Sequence, residues 1–283
     1  MRDLLINLNN TGPKLESVFL SSPICRELQS RIRPELYDST ITLDKFKQLA
    51  QNYFQGSKLN LLSGFDKFTN VDIVLGCTQF IDDLLLHYGL HGLQILAHDY
   101  GYYWRLDPNL QPAVVGELVP DRPLLISMPF AGETDIHPQM SAILDECLAK
   151  GIPVHIDSAW ITCARDIHFD YSHPAIQSFA MSLSKGMDLG WNRIGLRWSR
   201  IQDDTNSVSI YNKFYMIPRA MLNIGYAHLE VIKPDHLWNL YGDRYFEICK
   251  DLLLRPTKMI HLARSMDRKT CYSVKHILEK SWK

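Results

Sequence analysis

Residues 178–198 read SFAMSLSKGMDLGWNRIGLRW, and this stretch decides the fold. An apolar run, Phe179–Leu183, passes into Ser184 and Lys185. A glycine-containing loop then leads to Arg193 and a second apolar run, Ile194–Trp198. Short β-rich runs bounded by glycine and polar residues read as strands. A lysine at a strand end lies on the sheet edge where open α/β folds bind ligands. To act as a nucleophile it needs a deprotonated amine, obtained by desolvation or from a neighbouring cation. Ser182 and Arg193 add a hydroxyl and a planar fork of donors, which suit a phosphate. Taken alone, the pair reads more simply as a solvated loop lysine and a surface arginine.

Three upstream segments change that weighing. In VHIDSAW, residues 154–160, Asp157 ends a buried-looking strand. A carboxylate there can hold a protonated ring nitrogen, or merely cap the next turn. In IVLGCTQFIDDLL, residues 73–85, a strand meets Gly76, Cys77 and Thr78 before an amphipathic helix. Exposed N–H groups and the Thr78 hydroxyl form an anion site, or Thr78 is an ordinary N-cap. In ILAHDYGYYWRL, residues 95–106, Tyr100 follows another strand, where its ring can stack on a planar ligand or pack into the core.

The wider chain is consistent with a parallel sheet and crossover helices. Apolar runs at Val71–Leu75, Leu93–Ala97, Val114–Leu118, Leu124–Met128 and Val154–Ile156 join the two already named. Phe80, Ile81, Leu84, Leu85 and Tyr88 mark a helix ending at Gly89, and Met140, Ile143, Leu144, Cys147 and Leu148 one ending at Gly151. The first sixty residues read as an arm plus a helix around Leu43–Phe54. Beyond Asn206 the pattern turns helical, with an amphipathic stretch from Leu237 to Leu254 stopped by Pro256.

Thirty Lys plus Arg balance 31 Asp plus Glu, which predicts neither nucleic acid nor an anionic membrane as partner and favours a small molecule. The six cysteines form no CxxC pair, and no stretch approaches a membrane span. Both point to a soluble cytoplasmic protein with reduced thiols and no metal site. His168 and His173 read as loop or packing residues, and Trp238, Tyr241 and Tyr245 as core or dimer surface.

Phosphate loop, aromatic, Asp, then Ser-x-x-Lys followed by Arg: this order resembles the fold-type I enzymes that depend on pyridoxal 5′-phosphate (PLP), most of all the class I/II aminotransferases. The resemblance spans about residues 70–200. It implies a Schiff base between PLP and Lys185, with Asp157 on the pyridine nitrogen and Tyr100 stacked on the ring. Gly76, Cys77, Thr78, Ser182 and Arg193 would hold the phosphate. The expected fold is a mostly parallel seven-stranded sheet with helices on both faces and a reduced small lobe. The expected division is an arm and part of the small lobe in residues 1–60, a PLP-binding major domain in 61–235 and a reduced helical segment in 236–283. A homodimer and transamination of an amino acid or related primary amine are also implied. The alternatives are elimination or replacement, decarboxylation or racemisation on the same scaffold, or a degenerate binding protein, which would need neither Lys185 nor Asp157.

Two departures stand out. Aminotransferases usually carry an Asn-Pro-Thr-Gly-like turn whose Asn touches the cofactor's phenolic oxygen, but here residues 128–135 read MPFAGETD. Trp160 also replaces the Tyr that commonly follows the cofactor Asp by three residues. For the arginine that binds the substrate carboxylate, Arg255, Arg264 and Arg268 are candidates that no motif separates.

Overall fold

The computed structural model describes residues 6–7, 22–31, 40–89, 91–106 and 109–280. Most of the expected N-terminal arm lies outside the described residues. In chain order the strands are β1 (Ile6–Asn7), β2 (Leu61–Ser63), β3 (Asn70–Val74), β4 (Leu124–Ser127), β5 (Val154–Ser158) and β6 (His168–Asp170). They continue with β7 (Ile176–Ser182), β8 (Gly195–Ser199), β9 (Arg255–Pro256), β10 (Leu262–Arg264) and β11 (Cys271–Ser273). The helices are α1 (Pro23–Arg31), α2 (Leu43–Gln55), α3 (Gly76–Tyr88), α4 (Gly101–Leu106) and α5 (Met140–Ala149). After these come α6 (Ser207–Lys213), α7 (Arg219–Val231), α8 (His236–Asp251) and α9 (Lys275–Lys280).

The central sheet has five strands in the order β3-β8-β7-β5-β4. It is mixed: β8 runs antiparallel to both β3 and β7, while β5 is parallel to β7 and β4. The expected seven strands are therefore corrected to five. The run at Leu93–Ala97 contributes only isolated bridges, Gln94 to Leu124 and Leu96 to Ala113, and Val114–Leu118 forms no strand. Pro112, Pro120 and Pro123 around the second run lack the N–H that would extend a ladder.

Alternation along the strands splits the core into two layers. On one face Val74, Leu125 and Ala180 meet Phe80, Ile81 and Leu84 of α3. On the other, Ile73, Ile126, Phe179 and Leu196 pack with Phe46 of α2, Ile143 of α5 and Leu222 of α7. Helices thus cover both faces, as period-two strands buried on each side require. Phe179 and Trp198, paired in register, stack with centroids 4.8 Å apart.

The C-terminal segment, expected to be helical, also contains strands. β11, β10 and β9 form an antiparallel sheet with β1. Trp238, Tyr241 and Tyr245 of α8 are buried there with Ile277 and Leu278 of α9. α8 stops at Asp251, short of Pro256, and Leu253 takes a positive φ of 54°. The six cysteines are free thiols. Among the described residues no helix is long and apolar enough to cross a membrane.

Candidate active site

The one antiparallel strand builds the site. β3, β7, β5 and β4 all end at the same sheet edge, and β8 begins there. Arg193, two residues before β8, therefore returns to the start of α3, where its Nη1 donates to Thr78 Oγ1 at 2.6 Å. In between, the Lys185 loop is pinned by Leu183 N to Ile194 O at 3.0 Å and by Gly186 N to Thr162 Oγ1 at 3.1 Å.

A cavity of about 270 Å³ opens at this edge, and its wall includes all eight residues singled out in the sequence: Gly76, Cys77, Thr78, Tyr100, Asp157, Ser182, Lys185 and Arg193. Gly76 has a φ of +75°, and a Cβ there would stand 3.4 Å from Arg193 Cβ and 3.6 Å from the Ser182 and Ser184 hydroxyls. Only glycine takes that backbone readily. The result is a close-walled cradle of N–H and hydroxyl groups at a helix start, suited to a phosphate. A larger cavity of about 640 Å³ includes His155 and Ser178, at the opposite ends of β5 and β7, and none of these eight residues.

Lys185 is only 8% exposed. Burial holds its ammonium below the ordinary lysine value, outweighing the opposing pull of Asp157, Cys163 and Cys77. Its Nζ lies 5.0 Å from the Trp160 ring centroid and 5.5 Å from that of Tyr100. Asp157, at 3% exposure, accepts from Tyr103 Oη at 3.0 Å and from Ala159 N at 2.9 Å, so both carboxylate oxygens are held.

Two expected phosphate ligands are otherwise engaged. The Cys77 thiol donates to Ala180 O at 3.4 Å, and burial raises it well above the usual thiol value. Its contribution to an anion would come from its backbone N–H. Ser182 Oγ donates to Ser184 Oγ at 2.8 Å, so of these two serines Ser184 keeps its hydroxyl proton for a ligand.

Sequence reasoning left Ser184, Arg105 and Asp99 out of the site, and offered Tyr102 and Tyr103 only as stand-in donors to the cofactor's phenolic oxygen. The Ser-x-x-Lys motif itself contains Ser184, but nothing local marks Tyr103 as the partner of Asp157. Asp99 accepts from Ser127 N at 3.0 Å, from Tyr100 N at 2.7 Å and from Ser127 Oγ. Burial pushes its carboxyl up to about 7. It ties the Tyr100 segment to the end of β4.

No family model matches the sequence, and no curated protein matches it. Solved structures do. A tyrosine aminotransferase from Leishmania infantum superposes with a TM-score of 0.62 at 12% identity, over 95% of this chain and 91% of that one. An alanine aminotransferase from Pyrococcus furiosus gives 0.59 at 14%, over 90% and 75%. A PLP-bound C-S lyase from Staphylococcus hominis gives 0.62 at 12%, over 87% and 72%. The fold is that of the fold-type I aminotransferases.

Within that aminotransferase fold both departures remain visible. Where an Asn was expected, Met128 is fully buried. A pocket beside Lys185 is walled instead by Ser127, Pro129, Ala131 and Trp160. Tyr102 and Tyr103 do not supply the missing donors, since their hydroxyls go to Asp82 at 2.8 Å and to Asp157. None of Arg255, Arg264 and Arg268 lines the Lys185 cavity, whereas Arg105 does.

Proposed function

We propose that this protein is a PLP-dependent enzyme of the aminotransferase type, carrying the cofactor on Lys185 and acting on an amino acid or related primary amine. One observation carries the reading: a single cavity gathers a buried lysine, a twice-bonded buried carboxylate and a glycine-floored anion cradle. These residue types fit the group. Thr78, Ser184, Arg193 and the first N–H groups of α3 would hold the phosphate, Asp157 the pyridine nitrogen, and Tyr100 one face of the ring. The cofactor, when bound, supplies an electron sink for a carbanion at the substrate's α-carbon.

Lys185 is prepared as a nucleophile because burial favours its neutral amine. The same Nζ, buried in the cavity wall, would take and return the substrate's α-proton. Tyr103 and Ala159 N keep the Asp157 carboxylate oriented. Arg105, on the cavity wall, is the candidate to receive the substrate's carboxylate. The reading includes a homodimer, supported by the fold and by Trp191, which is 78% exposed two residues before Arg193. Sedimentation tests that part.

A second outcome, elimination at the β- or γ-carbon, is favoured by the donor-poor wall of Pro129, Ala131 and Trp160, because groups around the ring decide the carbanion's fate. The test is a visible spectrum of the purified protein with PLP, followed by a panel of amino acids. Conversion to the amine form of the cofactor with release of the keto acid supports transamination. Release of ammonia with a keto acid, the cofactor unchanged, supports elimination. A colourless protein that gains no band with PLP overturns both.

A further inference from the structure

The three arginines absent from the Lys185 cavity meet elsewhere. A cavity of about 720 Å³ lies between residues 133–138 and the C-terminal hairpin, and Arg255, Arg264 and Arg268 all line it, with Arg165 and Lys258. Its volume is in the range of small-ligand sites. Two of these five cations are neutralised within the wall: Lys258 pairs with Asp135 at 2.6 Å and Arg165 with Asp166 at 2.7 Å. The other three have no carboxylate partner among the described residues, and Glu133 is the one uncommitted carboxylate on the wall.

The hairpin register makes this more than a basic patch. Arg255 of β9 and Arg264 of β10 are direct antiparallel partners, so two guanidinium groups leave the same face of the hairpin side by side. Like charges directly opposite on a sheet are destabilising. Arg264 does not relieve the conflict by turning to a carboxylate. It donates to the carbonyls of Gly132 and Arg268, and its Nε is sheltered from water without a partner among the described residues. Arg268, on the turn after β10, brings a third guanidinium to the same cavity.

We infer that this cavity is an anion-binding site, separate from the Lys185 site, that takes a small ligand with several negatively charged oxygens, a phosphate ester or a polycarboxylate. Planar guanidinium forks bind such groups in pairs of charge-assisted bonds. An anion between Arg255, Arg264 and Arg268 would supply the counter-charge that the hairpin lacks. The inference stands on these residues alone and does not rest on the cofactor reading.

Calorimetry at low salt, with inorganic pyrophosphate and with citrate as probes, tests it on the full chain. Because these anions can also enter the cradle at α3, Arg193→Gln, which weakens that cradle alone, is measured beside wild type; it is expected to lose at most that second binding event and to keep the one at the hairpin cavity. Arg268→Gln should bind about 10-fold or more weakly, and Arg255→Gln/Arg268→Gln weaker again. Binding should fall as salt is added. Arg255→Gln is expected to melt no lower than wild type, since it removes a like-charge pair; the Arg268→Gln turn variant keeps the test valid if that hairpin change unfolds the protein. Pyrophosphate alone binding would narrow the ligand to phosphoryl groups, and citrate alone to polycarboxylates; either supports the site. No binding to wild type overturns it, as does binding that Arg193→Gln abolishes and Arg268→Gln leaves intact.

Discussion

Tyr103 donates its phenolic hydroxyl to Asp157 Oδ2 at 3.0 Å, and both residues are almost wholly buried. Asp157 is the penultimate residue of β5, and Tyr103 sits in the short helix α4 that follows the single-bridge segment at Leu96. This bond joins the carboxylate on the cavity wall to α4.

Tyr103→Phe should therefore cost about 1–3 kcal/mol of stability, because it leaves a buried carboxylate oxygen without its donor. Denaturant titration reads the loss. In a cycle with Asp157→Asn the two changes should be non-additive. Additive effects would mean the bond contributes nothing.

Lys185→Ala should abolish the visible band that wild type shows with PLP. Asp157→Asn should keep cofactor but lose most turnover, since an amide does not stabilise the pyridinium proton. Full activity in the Asp157 variant would remove that residue from the site.

Arg193→Ala removes the 2.6 Å bond to Thr78 along with a guanidinium donor. A charge-assisted bond is worth roughly 1.5–3 kcal/mol, so PLP affinity should drop about 10- to 150-fold. Titration with wild-type affinity would exclude Arg193 from phosphate binding.

Trp160 stands where a phenol donor was expected. Donors to an ionised phenolic oxygen favour that charged form. The protonated form of the bound cofactor's absorption band should thus persist through neutral pH, and Trp160→Tyr should lower its midpoint. A pH titration in which the variant moves nothing would show that the substitution carries no chemical meaning.

His155 and His261 are buried neutral, each pushed down to about 3, with burial the main cause. A histidine depressed from 6.5 contributes stability that is present above pH 6.5 and lost as pH falls towards 3, because the unfolded chain takes up a proton that the native state refuses. Each can supply a slope of about 1.4 kcal/mol per pH unit in that window. Asp99, raised to about 7, acts with the opposite sign, its stabilisation fading as pH rises from about 4 to 7. The readout is therefore a difference. His261 makes no hydrogen bond through either ring nitrogen among the described residues, so His261→Leu should flatten the acid limb relative to wild type. Parallel pH–stability curves would contradict it.

How much of this was written in the sequence follows from where the interactions lie along the chain. The strand ends at Val74, Ser158 and Ser182, and the glycine at the start of α3, are local patterns of apolar alternation and backbone permissiveness. A strand that ends in a functional residue places it at the sheet edge whatever the rest of the fold does. That is why eight residues named from four short segments line one cavity. Only tertiary structure decided the rest. Whether Leu93–Ala97 and Val114–Leu118 became strands depended on neighbours and on prolines that broke their ladders. Tyr103 found Asp157, and Arg105 the cavity, through the packing of α4, which no periodicity encodes. Arg255, Arg264 and Arg268 were legible as arginines but not as a cluster, because their cavity is closed by residues 133–138, more than a hundred positions away. Contacts of that separation are set by tertiary packing, and single-sequence patterns carry no information about it.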